Sequence, residues 1–63
     1  MNKPITPHKI VRLRKKMGSY AALAVHLKVT EMTIRRWEKG TPDVNVSGYR
    51  FEIDRLLTEN GIN

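Results

Sequence analysis

One segment, 19–40, constrains the fold of this chain more than any other: SYAALAVHLKVTEMTIRRWEKG. Ser19 and Thr30 are each followed by apolar residues at helical spacing. A Ser or Thr at the start of a helix accepts a hydrogen bond from a backbone N–H two or three residues on. The spacing therefore predicts one helix over 20–27 or 28 and a second over 31–39. Leu23 and Leu27 turn inward from the first, and Ile34 and Trp37 from the second, with Val29 between them. Ala24 sits where the two helices must approach closely. Glu31 falls in the first turn of the second helix, where the dipole favours an anion. Gly40, with Pro42 two residues on, stops that helix.

The flanks read as further helices. Thr6 can cap, and Pro7 at the first helical position gives up no needed N–H, so a helix opens there. Ile10, Leu13 and Met17 form its inner stripe, and Gly18 ends it in a left-handed turn. Arg14 falls within that stripe, so its charge needs a partner; Lys9, Arg12, Lys15 and Lys16 occupy the other faces. Residues 1–5 read as an N-terminal arm in which Lys3 can touch a phosphate. Residues 41–47 read as a loop, or as a short extended piece in which Val44 and Val46 share a face. A last helix is expected from 48 or 49 to 59, with Tyr49, Ile53, Leu56 and Leu57 inward and Asn60-Gly61 at its end. Phe51 lies nearly opposite that stripe: either it marks a partner surface or it folds back on the preceding loop. The expectation is a small all-α domain of four helices over 6–63, with little core to spare at 63 residues.

Composition narrows the functions. Without cysteine there is no disulfide framework and no thiolate metal site. His8 and His26 fall on different predicted helices, so each reads as a surface residue and no metal is expected. There is no Gly-rich phosphate loop, no pair of carboxylates in one turn and no triad, so no catalytic residue, cofactor or small-molecule ligand is expected. No apolar run approaches membrane-spanning length, and the N-terminus lacks the apolar core of a signal peptide; a cytoplasmic protein is expected. The net charge of +6 is unevenly placed. Ten of the twelve Lys and Arg, but two of the six acidic residues, precede Gly40. A basic front suits a polyanion held on one face.

Residues 10–40 resemble the small Cro/repressor-type helix-turn-helix regulators, the XRE family. The resemblance is carried by Leu13-Arg14, Leu23-Ala24, Val29-Thr30 and the run Thr33-Ile34-Arg35-Arg36-Trp37-Glu38-Lys39-Gly40. It implies a lambda-repressor-like fold and an ion pair between Arg14 and Glu38. It also implies a second helix of the motif that enters the DNA major groove. Two positions depart from the family. Lys28 stands where Gly is usual in the turn, so either it accepts a left-handed conformation or the turn has another shape. Tyr20 stands where Gln usually meets the DNA backbone; its hydroxyl can donate to a phosphate, or the residue can serve packing.

By family geometry Thr30, Glu31, Met32 and Arg36 reach base edges. Arg36 can hold guanine O6 and N7 through two parallel N–H groups, and Met32 can meet a thymine methyl. Glu31 can accept from cytosine N4, or only cap the helix; Thr30 can be a cap alone. Arg35 and Lys39 are expected at phosphates, with Tyr20, Lys28, Lys15 and Lys16 as further candidates.

One such helix reads few base pairs, so a homodimer on a palindromic operator in double-stranded DNA is expected, nucleoid-associated when bound. Val44, Val46 and Phe51 are the expected dimer surface. The role implied is a repressor or autorepressor of phage or mobile-element type. TIRRWEKG followed by Gly48-Tyr49-Arg50 also resembles winged-helix proteins of the MerR/excisionase type, with residues 44–50 as the wing and Arg50 on DNA. A third reading is an antitoxin-like or anti-CRISPR-associated autoregulator whose main partner is a protein.

Overall fold

A computed structural model of the chain describes residues 4–40, 44 and 48–62. Four helices follow in order: α1 Pro7–Met17, α2 Tyr20–Leu27, α3 Glu31–Glu38 and α4 Arg50–Glu59. There is no strand among the described residues, and none of the helices is long and apolar enough to cross a membrane.

The first three helices start where their caps dictate. Thr6, Ser19 and Thr30 all have extended backbones, and each side chain accepts the N–H three residues ahead, from Lys9, Ala22 and Thr33. Each bond satisfies a donor that a helix start leaves without an intrahelical partner. α1 ends at Gly18, whose φ of 109° is the positive turn expected there.

α2 ends on Lys28, which adopts φ 59°, ψ 41°. The turn thus keeps the left-handed shape that Gly would give it, and Lys28 bears the cost. Two bonds hold it there: Val29 N–H donates to the Ala24 carbonyl at 2.9 Å and Lys28 N–H to that of Val25 at 3.2 Å. This is the paired closure of a Schellman end, which satisfies two otherwise orphaned carbonyls. A left-handed residue with a Cβ costs about 1–2 kcal/mol. Lys28→Gly is therefore expected to add about 1 kcal/mol of stability, part of the relief being offset by the looser unfolded chain. Thermal unfolding should move up by several degrees; an unchanged midpoint would mean the turn stores no such cost.

α1, α2 and α3 pack pairwise on one another, and α4 closes against α1. Ile10 and Leu13 of α1, Leu23, Ala24 and Leu27 of α2, and Ile34 and Trp37 of α3 are buried together. Ile53, Leu56 and Leu57 of α4 complete the cluster.

Several expectations are corrected. Ile5 is 3 % exposed and belongs to the core, so the arm does not extend through residue 5. Ile5 precedes the Thr6 cap and Ile10 is the fourth helical residue, the two positions of a hydrophobic staple; both are buried in one cluster. Val44 is 4 % exposed and also belongs to the core, so it cannot form a dimer surface. Val46 lies outside the described residues. α3 ends at Glu38, one residue short of the expected end, and α4 begins at Arg50. Tyr49 is not on the inner stripe of α4. It precedes the helix, is 38 % exposed, and sets its ring 5.6 Å from that of Trp37. Of the residues expected in a wing over 44–50, those described are not strand: residues 48 and 49 are a turn and Arg50 opens α4, while residues 45–47 lie outside the described residues.

Candidate nucleic-acid interface

At about 3.6 residues per turn, α3 splits into two arcs. Ile34 and Trp37 fall on the inner one and are at most 3 % exposed. Glu31, Met32, Arg35, Arg36 and Lys39 fall on the outer one, and all are exposed. The spacing that buries Ile34 and Trp37 thus leaves Met32 and three cations facing out beside one carboxylate.

Arg36 carries no hydrogen bond or ion pair among the described residues. No described residue takes up its guanidinium donors, and beside it Met32 is 53 % exposed. Thr30 is committed as a cap: its Oγ1 accepts from Thr33 N–H at 3.3 Å and lies 3.0 Å from Thr33 Oγ1. Glu31 faces Arg35 at 3.6 Å across one helical turn, a loose and exposed pairing.

Behind this face lies a partly buried charge network. Arg14 Nε donates to Glu38 Oε2 at 2.7 Å, which gives Arg14 the partner its place in the α1 stripe demands. Tyr20 Oη donates to Glu38 Oε1 at 2.6 Å. Both carboxylate oxygens are therefore occupied, and the side chains of Arg14 and Glu38 are only 22 % and 12 % exposed. The bond to Glu38, helped by the Coulombic attraction of the same carboxylate, raises the Arg14 pKa above its ordinary value against the opposing cost of burial. The same carboxylate acceptor, together with burial, raises the Tyr20 phenol. The expected phosphate contact by Tyr20 is corrected: a phenol has one proton, and Glu38 takes it. Tyr20 instead offers its ring to two cations, with the Arg14 guanidinium 4.4 Å and the Arg35 guanidinium 4.7 Å from the centroid. The sequence gives one hint of this arrangement: an aromatic residue replaces Gln beside a helix whose stripe holds an arginine.

Breaking the network at Glu38 leaves two donors facing a partly buried gap. Glu38→Ala is expected to lower the melting midpoint by roughly 10 °C, since removing one member of a buried pair costs far more than the pair contributes. Thermal unfolding by circular dichroism measures this, and a shift within the error of the melt would show the network to be decorative.

The basic residues line more than one depression. Arg35, Arg36 and Lys39 share an open groove with Met32, Val11 and Tyr20 between α3 and α1. Lys15 and Lys16 line a separate depression with Arg12 and the tail residue Ile62. Lys28 lines a third with His26, Tyr49 and Glu52. The structure brings together the cations expected of α3, Arg35, Arg36 and Lys39, in one groove. No family model, curated protein or solved structure matches this chain.

Proposed function

We propose that this protein is a sequence-specific regulator of transcription that binds double-stranded DNA, of the Cro/repressor helix-turn-helix type, and reads its site with the outer arc of α3. The observation that carries the reading is the exposed set Met32, Arg36 and Lys39, with Arg35 beside it, on the second helix of a capped two-helix unit. Arg36 supplies the two-pronged donor that guanine takes in the major groove, Met32 an apolar surface for a thymine methyl, and Lys39 and Arg35 charge for the backbone. The protein acts by occupying an operator that overlaps a promoter, in the manner of a phage or mobile-element repressor. The net charge of +6 supports a polyanionic partner and rapid electrostatic encounter.

A single short helix contacts too few base pairs for tight binding, so the reading includes a two-fold dimer with half-sites about one DNA turn apart. Phe51, at 73 % exposure, is the described residue left from the expected dimer surface once Val44 is assigned to the core. Phe51→Ala is expected to shift sedimentation towards the monomer at the same concentration; a variant that sediments as the parent does removes Phe51 from the interface.

Titration of the isotope-labelled protein with duplex DNA tests the binding face. Amide shifts should concentrate over 30–39 and the start of α2. Shifts confined to α4, or none at low salt, would overturn the reading.

A further inference from the structure

Tyr20 links two sets of charges that the sequence keeps apart. Its hydroxyl is bonded to the partly buried Glu38, which also holds Arg14. Its ring lies 4.7 Å from the guanidinium of Arg35, on the outer arc of α3. Glu31 lies 3.6 Å from Arg35, on the turn before. An arginine side chain in water samples many rotamers, and ordering it on contact with a ligand has an entropic cost. A guanidinium laid against a ring is drawn to the π face, most strongly where water is partly excluded. A phenol that donates its proton to a carboxylate is richer in electron density, which strengthens that attraction.

We infer that Tyr20 is a positioning residue of the interface: its ring holds the Arg35 guanidinium ready to meet one backbone phosphate, and its hydroxyl fixes the ring on the Arg14–Glu38 pair. The inference rests on the DNA-binding reading for the phosphate, but the pre-ordering of Arg35 belongs to the free protein. Arg36, one residue on and with no such brace among the described residues, is left to adapt to a base edge. The two adjacent arginines thus divide the work, one held for the backbone and one mobile for the bases.

Two measurements separate the parts. In the free protein, the Arg35 Nε–H and δ-methylene signals should be shifted upfield by the ring and should relax as ordered groups, with Arg36 as the mobile internal reference. Tyr20→Phe keeps the ring without its anchor and should weaken the Arg35 signature part of the way; Tyr20→Leu should release it to resemble Arg36. In binding to a mixed duplex pool, Tyr20→Leu and Arg35→Ala should each reduce the slope of log K against log salt by about 0.9, the share of one phosphate. The double variant should lose no more than either single one, and Tyr20→Phe should fall between the parent and Tyr20→Leu.

An Arg35 signature in the parent no different from that of Arg36 overturns the inference, whether or not Tyr20→Leu folds. So do single losses that add in the double variant. If no form of the protein binds duplex while the Arg35 signature is present and ring-dependent, the DNA reading falls and takes the phosphate role with it; the held arginine stands.

Discussion

Ile62→Ala is expected to lower the stability of this protein by about 3 kcal/mol, within the range of roughly 2–5 kcal/mol for Ile-to-Ala changes in filled cores. The side chain is 1 % exposed, although it follows the end of the last helix. The chain is brought back by the way α4 stops. Gly61 takes φ 72°, its N–H donates to the Thr58 carbonyl at 3.1 Å, and Ile62 N–H donates to that of Leu57 at 2.8 Å. Asn60 Nδ2 adds a 2.7 Å bond to the Leu56 carbonyl. This closure places an apolar residue immediately after the turn, facing the last turns of its own helix. At roughly 0.05–0.15 kcal/mol per residue, a domain of this size holds only about 3–9 kcal/mol in all. One truncated side chain therefore removes a third or more of the total, and the melting midpoint should fall by roughly 15 °C. A fall of less than about 4 °C, the least that 1 kcal/mol should produce in so small a domain, would mean that the tail merely lies on the core.

Arg36→Ala is expected to weaken binding to the preferred duplex by about 1–3 kcal/mol, or about 5- to 150-fold, and to relax the preference at one base pair. The size follows from what is lost: two parallel charge-assisted hydrogen bonds to one guanine edge, from a guanidinium that pairs with nothing among the described residues. Binding to unrelated duplexes should fall much less, because that binding is ionic and spread over several cations. Competition between preferred and random duplexes measures both numbers at once. Equal losses on the two would make Arg36 a backbone contact and leave Met32 and Glu31 as the exposed candidates for reading bases.

The parts of the fold that are local in the chain were legible. The caps at Thr6, Ser19 and Thr30, and the stops at Gly18 and Gly40, depend on backbone geometry within a few residues of each. Ile5 and Ile62 were missed although each carries a local signal: an apolar residue just before a cap, and one just after a Gly that ends a helix. Val44 was misplaced because two valines in alternation fit an exposed extended piece as well as a loop that folds inward, and nothing nearby separates the two. That Arg14 needs a carboxylate was legible from its place on an inner stripe, and the family resemblance pointed to Glu38 as that carboxylate. The part Tyr20 plays was not legible: its hydroxyl meets a residue eighteen positions on and its ring two arginines from different helices, contacts that only the packing of α1, α2 and α3 creates. The outer face of α3 was legible through the three-residue spacing of Ile34 and Trp37, which fixes by exclusion what must face out.

The central claim is that the outer arc of α3 recognises a particular duplex sequence. Selection of bound duplexes from a fully random pool, repeated at a low and a moderate salt concentration, tests it most directly. The account predicts that one sequence is enriched at both, as two inverted half-sites about one helical turn apart, with affinity falling linearly in log salt. A pool that emerges as random as it entered, retained at low salt and released at moderate salt, would contradict it and leave only a basic surface without a reading function.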